Sequence, residues 1–259
     1  MMDATERFAL LAGGAEDDIA LDEAALLIAA HAYPDLDVSA ERRELDRLAA
    51  TCWGDDLDSL IGFLFAHKGF RGNREHYADP RNSFLNQVLQ RRLGIPITLA
   101  LVVMEVGRRM GLEIHGVGMP FHFLARHGDS WIDPFDGGRL LDRNGCFNLY
   151  LANGGRPDAF HVSYLEPIGS RAILIRMLTN LQQSYVRRGD GEGLAWVGRL
   201  RAMMPGVPLS DHTDQARLLV NLGRFSEAAD VLEALAAVVT DDEAAKLESE
   251  AGLLRARLN

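Results

Sequence analysis

The residues with the clearest chemical potential are a histidine and an aspartate eleven positions apart, His122 in "FHFLAR" and Asp133 in "WIDPFDGG". Upstream of both, "RRLGIPITLALVVMEVGRRMGL" (Arg91–Leu112) reads as a tight glycine lead-in, a proline and a long apolar helix. A helix start, then His, then Asp is the order used by enzymes with a cysteine nucleophile. There the helix end lowers the thiol pKa, the imidazole takes the proton and the carboxylate orients the imidazole. The thiol itself is missing from this arrangement. The chain has two cysteines, Cys52 and Cys146, and neither stands at the helix start near Pro96. Thr98, in the first turn of that helix, is the hydroxyl that could replace it; a threonine in that position also serves as a backbone hydrogen-bonding residue. His122 can equally be a structural histidine, and Asp133 can equally cap the turn opened by Asp-Pro.

Other polar residues fall near this set. Asn82 and Asn86 lie four apart on one expected helix face and, with Pro96 and Asp136, are expected to line the same cleft. Their alternative is a cap at Asn82 and a buried hydrogen bond at Asn86. His115 and His122 have no cysteine or carboxylate at ligand spacing, so no metal is expected. Gly137–Gly138 is a turn, with no strand-to-helix phosphate loop beside it, so no nucleotide or other cofactor is expected.

These side chains need a scaffold, and the hydrophobic pattern supplies it. Helices are expected over residues 5–12, 20–32, 38–52, 55–70 and 83–92, and from Pro96 to Met110. Pro96 suits a first helical turn, and Gly111 suits a stop. The period then changes to two. "EIHGVGMPFHFLARHGDSWIDPFDGGRLLD" reads as short antiparallel strands with turns at "HGDS" and "FDGG", His122 in mid-strand and Asp133 on the neighbouring strand. After Pro167 the chain is helical again and repeats itself: Gly189 and Gly223, like Val197 and Val231, are 34 residues apart. Helix, glycine-containing turn, helix at that period is the tetratricopeptide signature, with a terminal helix over 243–257 as cap.

Composition narrows the function classes. The net charge is −10, with 15 acidic and 4 basic residues in positions 1–60 and 8 basic and 4 acidic in 61–120. An acidic chain repels phosphate backbones, so nucleic acid is not an expected partner. No apolar run approaches a membrane span, and the acidic start, "MMDATERFALLAGGAEDD", is no secretory signal. Two distant cysteines make no disulfide framework, which suits a reducing cytoplasm.

The segment running from "DPRNSFLNQVLQRRLGIPIT" through "WIDPFDGG" resembles the transglutaminase-like region of the SirB family of bacterial proteins, and the repeat-like C-terminal part fits the same family. The resemblance spans roughly residues 20–255. It implies an α+β fold, with helices packed on an antiparallel sheet as in transglutaminases and papain-like proteins, over residues 1–165. An all-α tetratricopeptide-like array would follow over 166–259. In transglutaminases the nucleophile sits in a G-x-C pattern with an alanine four residues on. Gly94, Pro96 and Ala100 have that spacing, so Pro96 falls where the thiol would be, and a small shift puts Ile97 or Thr98 there. The expectation is a non-catalytic, regulatory protein- or peptide-binding module that keeps His122, Asp133 and neighbouring amides as hydrogen-bonding groups. The alternative is a hydrolase or acyltransferase using His122 and Asp133 with Thr98 or an external nucleophile. A third reading is a purely structural role. Oligomeric state is not readable from the sequence.

Overall fold

The computed structural model describes residues 2–257 and divides into two compact units, one reaching to Asn180 and one beginning at Leu181. The first unit opens with three helices, α1 (Ala4–Gly13), α2 (Leu21–Ala30) and α3 (Val38–Ala50). Asp3 and Asp37 start α1 and α3 by accepting hydrogen bonds from backbone N–H groups of the first turn. Helix α2 is buried on nearly every side because its residues are almost all apolar. Its one buried carboxylate, Asp22, accepts from Arg109 at 2.5 Å and Arg42 at 3.1 Å. Helix α4 (Leu57–Ile61) continues as a π-helical turn, Gly62–His67.

Next come a two-residue strand β1 (Arg71–Gly72), a 3₁₀ turn (Pro80–Ser83) and helix α5 (Leu85–Arg91). Strand β2 (Leu93–Gly94) pairs in parallel with β1. Pro96 is the first residue of α6 (Pro96–Arg109), the central helix; eleven of its residues are buried. The sheet that follows has four antiparallel strands in sequence order: β3 (His115–Val117), β4 (Leu124–His127), β5 (Ser130–Asp133) and β6 (Arg139–Leu141). Ala125 faces Ile132 and Asp133 faces Arg139 in its register. This is the α+β arrangement expected of residues 1–165, with four strands where the sequence suggested a hairpin.

Helix α7 (Arg143–Ala152), started by the Asp142 side chain, carries Cys146 and Tyr150 into a core with Val117, Met119, Leu124, Trp131, Leu141 and Leu165. Helix α8 (Ser170–Arg188) is where the domain boundary departs from the expected 165/166. Its N-terminal half belongs to the first unit. Arg171 pairs with Glu16, Arg176 reaches the backbone around His122, and Pro167 bridges to Val117 just ahead of the helix.

The second unit is all helical: the end of α8, then α9 (Gly191–Ala202), α10 (Leu209–Asn221), α11 (Phe225–Ala236) and α12 (Asp241–Ala256). Its core is rich in alanine (Ala195, Ala216, Ala228, Ala229, Ala251), which lets neighbouring helices approach closely around Leu219, Leu232 and Leu235. Gly189 and Gly223, the pair 34 apart, both adopt left-handed backbone, at φ 65° and 72°, just beyond the ends of α8 and α10. No helix among the described residues is long and apolar enough to cross a membrane.

Candidate functional site

His122 and Asp133 meet. The His122 Nε2 and Asp133 Oδ1 atoms are 2.9 Å apart, and the side chains are 6% and 1% exposed. Asp133 Oδ1 also accepts the backbone N–H groups of Phe135, at 3.1 Å, and Asp136, at 3.3 Å. An oxygen taking two N–H donors is acting as a carboxylate acceptor, so the imidazole donates through Nε2–H. Nε2 is thereby committed, and in the neutral ring Nδ1 carries the lone pair. No described residue bonds to Nδ1. This is the orientation a histidine base requires, with its orienting carboxylate on the far ring nitrogen.

The elements that hold the pair differ from those expected. Asp133 ends β5, as expected, and its side chain also caps the 3₁₀ turn Pro134–Asp136. His122 is not in mid-strand: β4 begins only at Leu124. The reason is Phe121, a non-glycine residue at φ 66°, which turns the backbone out of the extended region and stands 62% exposed. The turn is fixed from inside by Arg176 of α8, whose Nη2 donates to the carbonyls of Met119, at 2.9 Å, and His122, at 2.7 Å. Burial pushes the Arg176 pKa below the ordinary arginine value. Arg176 lies 54 residues from His122, and nothing in the sequence pattern links the two.

The loop between β1 and α5 packs on the turn that follows Asp133. Phe135 lies edge-on to His122, with ring centroids 6.2 Å apart, and edge-on to Tyr77 at 5.8 Å. It packs so closely on Gly72 that a Cβ there would come within 2.5 Å of its ring, so β1 needs glycine at that position. Asn82, fully buried, is fastened in this loop: its amide donates to the His76 and Tyr77 carbonyls and accepts from Asn73. It is a bonded scaffold residue, not an open amide. Asp136 is exposed and pairs with Arg74 at 3.0 Å and Arg139 at 3.2 Å, on the rim of the site. Pro96 is buried at the start of α6.

Thr98 is placed as a capping threonine. Its hydroxyl donates to the Asn82 carbonyl at 2.6 Å and accepts the Ile95 N–H at 3.2 Å. With its proton and a lone pair spent on backbone, and no bond to His122, it is not poised as the nucleophile considered from the sequence. Neither cysteine fills the role. Cys52 follows α3. Cys146 is buried in α7, where desolvation first, and then the Asp142 and Asp133 charges, push its thiol up to about 12.

Asn86, expected either to line the cleft or to make a buried hydrogen bond, is buried with Oδ1 unbonded, and Ser83, which sequence reasoning did not single out, is buried beside Asn82. Ser83 Oγ and Asn86 Oδ1 have no hydrogen-bond partner, although Ser83 is 1% and Asn86 5% exposed. A groove of about 550 Å³ elsewhere in the first unit is lined by Asp22, Arg42, Glu105, Arg108 and His115. It shares no residue with the His122–Asp133 pair, and its principal charged side chains are paired with one another. Among the described residues no group of three or more His, Cys, Asp or Glu side chains could hold a metal ion.

Residues 24–179 match the family model described as the Transglutaminase-like superfamily. A UPF0162 protein of Xylella fastidiosa (strain Temecula1) is 35% identical over 74% of this chain and 75% of its own length. A UPF0162 protein of Pseudomonas aeruginosa is 35% identical over 68% of each chain. F-box only protein 21 of Mus musculus is 37% identical over 65% of this chain, which is 27% of that longer protein. No solved structure matches.

Proposed function

We propose, for a chain that belongs to the transglutaminase-like superfamily and to the UPF0162 proteins, that it is a regulatory module recognising a protein or peptide at the His122–Asp133 site. The observation that carries this reading is Phe121. A large aromatic side chain is held in solvent, by a backbone conformation that costs about 1–3 kcal/mol, directly beside a buried hydrogen-bonding pair. Exposed aromatics of this kind are the anchors that dominate protein interfaces. F-box only protein 21 carries the matching region as a quarter or so of a much longer chain, which suits a module. The SirB resemblance, the tetratricopeptide reading of the helices after Leu181 as a second binding surface, and a cytoplasmic location belong to the same proposal. Nucleic acid and membrane are not among the proposed partners.

The test is a photo-crosslinking amino acid at position 121, with the same group at exposed Val238 as control. The expected result is a protein crosslinked from 121 alone, whose affinity falls about tenfold or more in Phe121→Ala without loss of fold. Crosslinks identical from both positions, or affinity unchanged by Phe121→Ala, would refute the reading.

A second reading, hydrolysis or acyl transfer without a thiol, is favoured by the orientation of His122. A ring anchored through Nε2 leaves Nδ1 as a base. That reading requires a hydroxyl other than that of Thr98.

A further inference from the structure

The chain is acidic as a whole, yet residues 68–92 hold six basic and two acidic side chains. From this stretch Gly72, Arg74 and Tyr77 pack on the turn that follows Asp133. Two arginines meet on the Asp136 carboxylate of that turn. Arg74 Nη2 donates to Asp136 Oδ1 at 3.0 Å, and Arg139 Nε lies 3.2 Å from Asp136 Oδ2. One carboxylate is thus held between two guanidinium groups, one on each oxygen. All three side chains are open to solvent, at 64% for Arg74, 52% for Arg139 and 44% for Asp136. Other carboxylates that two or more arginines hold, such as Asp22, Asp79 and Glu44, are 1%, 12% and 21% exposed and closed to a partner.

The open trio is tied to the candidate site by direct contacts. The Asp136 backbone N–H donates to Asp133 Oδ1, the oxygen that also takes His122 Nε2. Arg139 faces Asp133 across the β5–β6 register. The Arg74 guanidinium lies over the Phe135 ring, 5.1 Å from its centroid, and that ring stands 6.2 Å from the His122 imidazole. Stacking on Phe135 orients Arg74 while leaving it exposed, so little side-chain freedom remains to be lost when it binds an anion. Each arginine offers Asp136 a single nitrogen, and among the described residues nothing accepts from the others.

We propose that Arg74 and Arg139 recognise a carboxylate of an acidic peptide segment, and that Asp136 fills this seat until the partner's side chain displaces it. The proposal rests on the recognition reading above and names the chemistry of its partner. A carboxylate is what the seat already holds, and planar guanidinium groups meet it with paired N–H···O bonds. A short acidic segment meets only this rim. A nucleic-acid backbone would also meet the acidic remainder of a chain of net charge −10.

The probe is fluorescein-labelled hexaglutamate, followed by fluorescence anisotropy with the full chain at low salt, where exposed charges are least screened. It is applied to wild type, to Arg74→Gln/Arg139→Gln and to Asp136→Asn. Arg43→Gln/Arg217→Gln and Asp214→Asn make the same charge changes at exposed positions elsewhere. The expected result is saturable binding to wild type that weakens about tenfold or more in Arg74→Gln/Arg139→Gln. Asp136→Asn removes the internal competitor and should tighten binding about two- to fivefold. The variants at 43, 217 and 214 should change neither. Should Arg74→Gln/Arg139→Gln fail to fold, the direction of the Asp136→Asn effect decides. No binding to wild type, equal losses in the two double variants, or no tightening in Asp136→Asn beyond that in Asp214→Asn overturns the proposal. So does tighter binding of a labelled oligothymidylate, which would make phosphate the ligand. Failure here alongside a crosslink from position 121 that Phe121→Ala weakens leaves the recognition reading standing; absence of that crosslink is the failure of the recognition reading itself.

Discussion

Removing the Asp133 carboxylate tests the site where its energetics are most explicit. Oδ1 accepts three hydrogen bonds: from His122 Nε2 at 2.9 Å and from the backbone N–H groups of Phe135 and Asp136. Asp133→Ala deletes a turn cap, which costs about 1 kcal/mol. It also deletes a buried hydrogen bond to a charged acceptor, which costs about 2 kcal/mol. The loss of about 3 kcal/mol corresponds to roughly 6–12 °C in the melting temperature of a unit of this size. Asp133→Asn keeps a carbonyl oxygen that can cap the same turn and bond His122. Only the charge is lost, so it should cost about 1 kcal/mol. Thermal unfolding followed by circular dichroism on wild type, both variants and the His122→Ala double variants measures this. The Ala variant should lie well below the Asn variant. Its effect should also be less than additive with His122→Ala, with a coupling of about 1–2 kcal/mol. Equal losses for Ala and Asn would mean that the cap contributes nothing. A melting temperature unmoved by Asp133→Ala would mean that the three bonds do not hold the site together.

Thr98→Val should destabilise the first unit by about 1–3 kcal/mol, since it leaves the Asn82 carbonyl and Ile95 N–H unpaired in the core. It should not alter crosslinking from position 121; a loss of that crosslink with the fold intact would restore Thr98 to the site. Asp22 is pushed up by burial, but Arg109 and Arg42 outweigh this and hold its pKa below the ordinary 3.8. A depressed carboxylate stabilises the fold fully above 3.8 and loses that contribution as pH falls through its folded value. Melting temperature should therefore fall as pH drops below about 4, less steeply in Asp22→Asn than in wild type, and parallel slopes would refute the assignment. Cys146, with its thiol at about 12 and no route to solvent, should resist iodoacetamide at pH 8 in the native chain while Cys52 reacts. Equal modification of the two cysteines would contradict the burial of α7.

Most helices were legible because their evidence is local. The reading of 20–32, 38–52 and Pro96–Met110 differs by only a few residues from α2, α3 and α6, where caps, a proline and apolar spacing act within a turn or two. The pairing of His122 with Asp133 was legible for a related reason: two strands joined through "HGDS" bring the two residues to one end of the sheet. What escaped was decided by distant contacts. The period of two placed His122 in mid-strand, but Arg176, from a helix assigned to the other domain, grips the Met119 and His122 carbonyls and fixes a turn instead. Helix α7 escaped because Asn144 and Gly145 weaken its local pattern, while Cys146 and Tyr150 gain their stability only by packing under the sheet. Asn86 was singled out from its spacing, but that its Oδ1 and Ser83 Oγ lack partners was not legible. Whether a polar atom has a partner is a property of the assembled core.

The arrangement around His122 is hard to explain by stability alone. A buried ionisable pair is weak evidence for stability, because well-packed apolar residues of similar volume are often neutral or better in its place. A left-handed phenylalanine and two orphaned polar atoms each subtract from the balance. Arg92, at the end of α5, carries the same two kinds of cost, with φ 60° and an unpaired Nη1, whereas the buried carboxylate Asp22 is matched by Arg42 and Arg109. A site used only to hold the fold together would relieve such strain through any of several substitutions: glycine at 121, alanine at 83 or leucine at 86. A left-handed, exposed phenylalanine next in sequence to an oriented histidine is the pattern of a surface that meets a ligand. That argument applies equally to the recognition reading and to the reading of hydrolysis or acyl transfer with His122 as base.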